Sequence, residues 1–323
     1  MSGRSIGDEI FAFTGTALRR EEEHARKAAA VGPQAADCVL LLDEEGRAPF
    51  AIATGRIHRL PAAALGATAT DRSEWVFLGE DEAACRHWAA FLRPGAMEDL
   101  ARLMGDVQWW DPRRLAERLI TAARTGMRPD TDSGDLALAR ALLFWHRNHR
   151  HCPACGAVTA AIEAGFARRC AACGHVVFAR VDPAVLVLVH AGDSCVLARG
   201  RAFPEGMVSV IAGFVRPGES LEQAAARETR EELGLCPRGP ACYVASQPWP
   251  FPHSLMVGFL QEVDETPIRR DETELVDARW FRREEVIHLL EEAVAGRRGA
   301  LFVPPPLALA HHLMALWARG RNC

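Results

Sequence analysis

Cys152, Cys155, Cys170 and Cys173 stand as two C-x2-C pairs with 14 residues between them. Nothing else in the chain restricts its folding so tightly. Each pair lets two thiolates reach one ion from a single tight turn, and Gly156 and Gly174 supply the backbone freedom those turns need. Four thiolates close a tetrahedral zinc site with no open position, so the expected site is structural and the metal contributes directly to folding. The separation is slightly shorter than the usual spacing of about 15–20 residues, but within the reach of a zinc ribbon. Two redox pairs, or unrelated core cysteines, are the competing reading. His151 and His175 flank the pairs and read as surface residues, because four cysteines suffice. The remaining cysteines (Cys38, Cys85, Cys195, Cys236, Cys242 and Cys323) are scattered and read as reduced core or surface thiols, not as a disulfide framework.

The rest of the chain has room for more than a ribbon. Its 323 residues are a prior for two or three domains, and 49% hydrophobic with 25% charged residues is an ordinary globular balance. A net charge of −4 argues against a protein built on bulk positive charge for nucleic acid. A ribbon alone can still be a nucleic-acid-binding module, which Arg168 and Arg169 would serve, though two arginines neutralise little phosphate unaided. No stretch reaches the length of a membrane span, and the opening MSGRSIGDEIFAFTG lacks the apolar core of a secretory signal. The expectation is a soluble, cytoplasmic protein.

The first 30 or so residues look peripheral, LRREEEHARKAAA reading as a solvated helical face. From about Ala36, DCVLLLDEEGRAPFAIATG reads as two strands around a turn at Asp43 to Gly46, and EWVFLG as another. The segments PRRLAERLITAARTG and DLALARALLFWHRNH are helical. Together they make a small α+β domain over 1–148, in which no constellation points to chemistry. The ribbon takes 149–178. Over 179–323 strands and helices alternate, so the expected fold there is mixed α/β.

Within that last part, GFVRPGESLEQAAARETREELGL begins as a loop at Gly213 and becomes a helix. Ser220 is the expected N-cap with Gln223 as its reciprocal partner, and Gly234 the stop. Glu228 and Glu232 are four residues apart and share a face, with Glu231 three from Glu228. Like charges so close destabilise a helix unless a cation lies between them, and hard oxygen ligands suit Mg²⁺ or Mn²⁺. Arg227 is placed to orient the cluster. A solvated surface helix would explain the glutamates alone equally well.

The whole string fits G-x5-E-x7-R-E-U-x-E-E-x-G-U, U being a bulky aliphatic, with Gly213, Glu219, Arg227, Glu228, Glu231, Glu232, Gly234 and Leu235 in place. In this it resembles the box of the Nudix hydrolases. One U position departs, being Thr229, where a packing adjustment is expected. The resemblance implies an α/β/α sandwich that hydrolyses a nucleoside diphosphate linked to another group. It makes Glu228 and Glu232 ligands of Mg²⁺ or Mn²⁺, with Glu231 in support, Glu219 ordering the loop and the carbonyl of Ala212 a further ligand.

SQPWPFPHS, at 246–254, resembles the array that marks the NADH pyrophosphatase branch of that superfamily, and the zinc ribbon before the Nudix domain belongs to the same branch. The prolines should hold an irregular loop in one shape, since proline cannot serve a sheet ladder. Flat bases stack on aromatic rings, and Phe214, Trp249 and Phe251 are candidates that could equally be packing anchors. The branch's substrate segment maps onto Gln247, Pro248, Trp249, Pro250, Phe251, Pro252, His253 and Ser254. Phe178 stands where the branch often has tyrosine, and is followed by Ala179. A family acidic position falls on Gly165, with Glu163 two residues away. DETELVDARWF resembles the branch's acidic segment, giving Glu274 as a metal or substrate residue, with Glu272 and Asp277 as alternatives. PPPLALAHHL places Ala310 as a backbone contact. The resemblance thus implies hydrolysis of NAD(H) to AMP and nicotinamide mononucleotide, with NAD-cap removal from RNA as an extension and a homodimer as the assembly. A broader hydrolase of ADP-ribose-type compounds is the alternative.

Overall fold

In the computed structural model the described residues are 11–66, 68–97, 100, 104–125 and 130–320. Residues 1–10 of the expected N-terminal domain, Gly126 at the end of an expected helix, and Cys323 lie outside them. The chain forms two compact units, one of Ala12–Val181 with Pro248–His253, the other of Phe11, Asp182–Gln247 and the chain from Ser254 onward.

The first unit is built on an apolar strand, β1 (Cys38–Leu42). Successive side chains of a strand face opposite ways, and both faces of β1 are covered. Val39 and Leu41 enter one core with Trp75, Phe77, Trp88 and Ala28 of helix α1 (Glu22–Val31). Leu40 and Leu42 enter another. The Asp43–Gly46 turn leads to β2 (Ala48–Ala51), which leaves the sheet of β1 and pairs with β3 (Arg56–Ile57) and β7 (Val107–Trp110). β1 lies instead between β4 (Leu60–Pro61) and β6 (Arg86–Phe91), with β5 (Val76–Glu80) beyond β6. The β1–β6 pairing is parallel, so its partner could not be read from a hairpin pattern. Helices α2 (Pro112–Arg124) and α3 (Ser133–Asn148) cover the second face through Leu115, Leu119, Leu136, Leu142 and Leu143.

The ribbon sheet follows, with β8 (Thr159–Ile162), β9 (Ala167–Cys170) and β10 (Val176–Phe178) paired in the order β10-β9-β8. It is welded to the N-terminal part of its unit. Gly165 has a φ of 96°, and a Cβ there would stand 2.7 Å from Val76, while its carbonyl accepts from His146 at 2.7 Å. Close approach explains why glycine occupies a position where an acidic residue was expected. Arg168 is 1% exposed, donates to both Glu74 oxygens at 3.0 and 3.2 Å and to the Thr159 hydroxyl at 2.8 Å. It is therefore not available to phosphate, which corrects the nucleic-acid role considered for it. The peripheral reading of the N-terminus also fails at Phe13, which is 1% exposed. Its ring meets Trp249 and Phe251 edge-on at centroid distances of 5.9 and 5.7 Å.

The second unit is an α/β/α sandwich. Its central strand β11 (Asp182–Ala191) runs parallel to β15 (Ser254–Glu262), and antiparallel to β12 (Ser194–Gly200) and β13 (Ile211–Phe214). β16 (Leu275–Arg282) extends the sheet beyond β12, and β14 (Cys242–Trp249) lies outside β15. Val185, Val187 and Val189 face helix α4 (Leu221–Leu233) through Ala224, Ala225 and Leu233. Leu186 and Leu188 face α5 (Arg283–Val294) and α6 (Leu309–Ala318) through Val286, Leu290, Leu313, Met314 and Trp317. Phe11 joins this second core, edge-on to His312. The strict alternation along β11 is what makes two helical layers possible.

One expectation is revised here. β14 runs through Pro248 to Trp249, so the proline array begins inside a strand. It can do so because β14 is an edge strand, whose outer side lacks a ladder for proline to interrupt. Only the turn from Pro250 to His253, with a cis Phe251–Pro252 bond, is irregular. Cys242 is a second revision, being disulfide-bonded rather than a free thiol.

Candidate active site

Helix α4 starts and stops as its residues dictate. The Ser220 hydroxyl accepts from Gln223 N–H at 3.2 Å, and the Gln223 side chain accepts from Ser220 N–H at 2.8 Å. Gly234 ends it with φ 67°. Thr229, the departure from the aliphatic pattern, is wholly buried in the packing face, and its hydroxyl donates to the Ala225 carbonyl at 2.8 Å. The polar atom is thus satisfied inside its own helix, and its remaining surface packs as a small apolar side chain would.

The same packing face carries two acids inward. Glu228 is 6% and Glu232 3% exposed. The loop backbone leaves room for the first only because residue 213 is glycine: a Cβ there would lie 1.8 Å from Glu228 Oε1. Arg227 ties the acids and loop together. Its Nε and Nη2 donate to Glu219 at 2.6 and 2.9 Å, its Nη1 to Glu228 at 2.5 Å and to Glu231 at 3.1 Å, and its Nη2 also to the Phe214 carbonyl at 3.0 Å. Arg216 makes a bidentate pair with Glu231 at 3.2 and 2.9 Å and donates its backbone N–H to Glu219 at 2.9 Å. Arg216 was missed from the sequence. Its position in the box loop was visible, but its reach across 15 residues to Glu231 depends on how the loop folds back.

These arrangements separate the acids electrostatically. Hydrogen bonding from Arg227 holds the Glu219 carboxyl down at about 2, so it remains a permanent anion. Burial raises Glu228 despite the Arg227 contact. Burial and the neighbouring charges of Glu228 and Glu274 push Glu232 up to about 8, against a hydrogen bond from the backbone of Ala212. Glu274 is exposed, and it bears on both buried acids through space. Arg201 braces that acidic turn, donating to the Thr273 carbonyl at 2.7 Å. Two buried, mutually repelling carboxylates beside an exposed Ala212 suit a divalent cation, which would reverse the repulsion. The acids do not meet as closely as the cysteines do. Among the described residues, groups of three or more ligand atoms within 4.8 Å of one another are formed by Cys152, Cys155, Cys170 and Cys173, and by Cys38, Cys85 and His87.

The four ribbon sulfurs fit zinc. Zn–S bonds of about 2.3 Å imply tetrahedral edges of roughly 3.8 Å, and the Cys152–Cys173 and Cys155–Cys170 sulfurs are 3.6 and 3.5 Å apart. The knuckles are near copies: Gly156 N–H donates to Cys152 and Gly174 N–H to Cys170, both at 2.9 Å, with φ of 77° and 74°. His151 and His175 are exposed beside them.

The remaining expected site residues divide by environment. Phe214 is 61% exposed in the second unit, and Phe178 is 67% exposed in the first. Both are free aromatic faces. Gln247 is wholly buried, donating to the Leu307 carbonyl at 2.9 Å and accepting from Leu309 N–H at 2.8 Å, so its amide fixes the entry to α6. Ser254 and Ala310 are buried as well. Pro248, Trp249 and His253 are half-buried, Pro250 is buried and Pro252 exposed. Phe251 carries the Arg113 guanidinium 3.7 Å from its ring centre, and Arg140 donates to the Pro250 carbonyl at 3.2 Å. Neither arginine was singled out in the sequence, because each is distant in the chain from the turn it clamps. Glu272 is exposed and Asp277 half-buried.

A mixed sheet between helical layers, with a capped helix carrying inward glutamates behind a glycine-led loop, defines a hydrolase domain of the Nudix class. Residues 180–302 match the model of the NUDIX domain and residues 147–178 that of the NADH pyrophosphatase zinc ribbon domain. The NAD-capped RNA hydrolase NudC of Mycobacterium bovis is 39% identical over 283 residues, 86% of this chain and 85% of that protein. The human NAD-capped RNA hydrolase NUDT12 is 41% identical over 200 residues, 59% of this chain but only 42% of the human protein. Among solved structures, a NUDIX hydrolase from Nitrosomonas europaea aligns with a TM-score of 0.43 at 18% identity, covering 53% of this chain and 92% of that one. The chain belongs to the Nudix hydrolases that carry the NADH pyrophosphatase zinc ribbon. Among the described residues no helix is long and apolar enough to cross a membrane.

Proposed function

We propose that the protein hydrolyses the pyrophosphate bond of NAD(H), giving AMP and nicotinamide mononucleotide, and that it acts on the same bond in NAD-capped RNA. The observation that carries this reading is the buried pair Glu228 and Glu232, the first held by Arg227, within one chain that also contains the SQPWPFPHS array and the ribbon. In this reading 1–148 is an N-terminal domain, 149–178 the ribbon and 179–323 the catalytic domain. The protein is cytoplasmic and works as a homodimer.

Glu228, Glu232, Glu274 and the Ala212 carbonyl would hold Mg²⁺ or Mn²⁺. When bound, such a cation neutralises phosphate oxygens and lowers the pKa of a water. The protein's part is placement. Arg227 fixes Glu228 in its slot against Gly213, so the carboxylate needs no reorganisation when substrate arrives. Arg216 turns Glu231 toward the box loop, leaving it as a support rather than a buried ligand. Phe214 and Phe178 offer faces for base stacking. Gln247 fixes the entry to α6 through Leu307 and Leu309, and within the first unit Arg113 and Arg140 clamp the turn at Pro250 and Phe251.

The test is incubation of the purified protein with NADH and Mn²⁺ or Mg²⁺, followed by product separation beside a Glu232→Gln control. AMP and reduced nicotinamide mononucleotide, absent in the control, are expected. Cleavage of ADP-ribose with NADH left intact would overturn the assigned substrate, and release of intact NAD from capped RNA would overturn the assigned bond.

A further inference from the structure

The first unit holds a second group of metal-binding residues, unconnected with the ribbon. Cys38 opens β1, Cys85 immediately precedes β6, and His87 lies within β6. Parallel pairing sets Cys38 directly beside His87, and Cys85, two residues before His87, points to the same face of the strand. The two sulfurs are 3.5 Å apart, and they and a ring nitrogen of His87 all lie within 4.8 Å of one another.

The histidine supplies the independent sign of a ligand. Its side chain is 10% exposed, and its Nε2 is 3.1 Å from Asp81 Oδ2. In the tautomer that donates from Nε2 to this carboxylate, the Nδ1 lone pair faces away from it. Nδ1 is buried and has no hydrogen-bond partner. A buried acceptor left in this state is unfavourable, and a carboxylate behind an imidazole is the usual way a metal-binding histidine is held in one tautomer. Asp81 also fixes the neighbouring cysteine, since its Oδ1 accepts from Cys85 N–H at 2.9 Å. By contrast the thiols find only weak partners: Cys85 lies 3.7 Å from each of the Ala36 and Arg86 carbonyls. Both cysteines are half-buried, so an ion can reach them.

We propose that Cys38, Cys85 and His87 form a zinc site that joins the start of β1 to the start of β6, with a fourth position left for water. Two soft thiolates and one imidazole match the ligand preferences of zinc, and a sulfur–sulfur distance of 3.5 Å is close to a tetrahedral edge. Each thiol gives up its proton on binding. Unlike the ribbon, the site keeps an open position, so its ion exchanges faster.

Zinc content of the reduced full-length protein, titrated with Zn²⁺ and freed of excess by gel filtration, tests this. Two equivalents are expected in the wild type. Cys85→Ala and Cys38→Ala should each retain one, with unchanged NADH hydrolysis. His87→Gln, in case a cysteine substitution disturbs the strand, should weaken the second equivalent at least 10-fold without removing the first. Cobalt replacement adds a spectroscopic reading: thiolate-to-metal absorption should fall by about a third when Cys85 is removed, in proportion to two of six Co–S bonds. A single equivalent in the wild type, or a second equivalent that survives all three substitutions, would overturn the site. So would a protein isolated without reductant whose Cys38 and Cys85 peptides are joined to each other, because the pair would then be a disulfide.

Discussion

Replacing Glu232 by glutamine should make the protein, free of Mg²⁺ and Mn²⁺, more stable at neutral pH while destroying its activity. A carboxyl with an ordinary value of 4.5 that is raised to about 8 in the fold is neutral in the native state where the unfolded chain has already ionised it. The raised group is harmless below about pH 4.5 and its burden grows as pH rises toward 8. The sign therefore favours the wild type at low pH only. From those two values the wild type loses about 3 kcal/mol between pH 5 and pH 7.5 through this residue alone. Glutamine does not titrate, but it leaves a buried amide short of partners, worth roughly 1–3 kcal/mol at every pH. The whole burden at pH 7.5 is about 4 kcal/mol, so the net gain there is about 1–3 kcal/mol, with a loss at pH 5. The assay is urea unfolding of both proteins at the two pH values, with ribbon zinc retained and Mg²⁺ and Mn²⁺ withheld. Adding Mg²⁺ at pH 7.5 should then stabilise the wild type and not the variant, because only the native wild type binds it. The reasoning is refuted if the stability difference between the two proteins stays constant from pH 5 to pH 7.5.

Three further outcomes follow from the same geometry. Gly213→Ala puts a methyl group where Glu228 Oε1 sits, and the resulting displacement of the order of 1 Å should lower kcat about 100-fold with melting temperature little changed. Arg227→Lys cannot span Glu219, Glu228, Glu231 and the Phe214 carbonyl together; unfolding free energy should fall by about 2–3 kcal/mol, and activity should drop more than in Arg216→Lys. Thr229→Val exchanges a satisfied hydroxyl for a methyl group of similar size, so stability should move by less than about 1 kcal/mol and activity should persist, whereas a larger loss would show that the hydroxyl is needed beyond its bond to Ala225.

What was legible in the sequence was local. The knuckle turns and the capping box of α4 are each set within a few residues, by glycine freedom and side-chain reach. The spacing of Glu228 and Glu232 put both on one face by helical geometry alone, and the succession of strands and helices over 179–323 announced a mixed α/β fold. Because these features are periodic or contiguous, a single chain displays them. The tertiary structure decided which groups far apart in the chain share a place. It turned Arg168 from an exposed cation into a buried partner of Glu74, and committed Gln247 to Leu307 and Leu309. It set Pro248 in an edge strand, where a missing N–H is harmless, and brought Cys38 beside His87 through a parallel pairing with no turn to signal it. Whether a charge is free or spent, and whether two scattered thiols are neighbours, depends on sheet order and burial. Those are properties of the packed chain, which no short stretch of residues carries by itself.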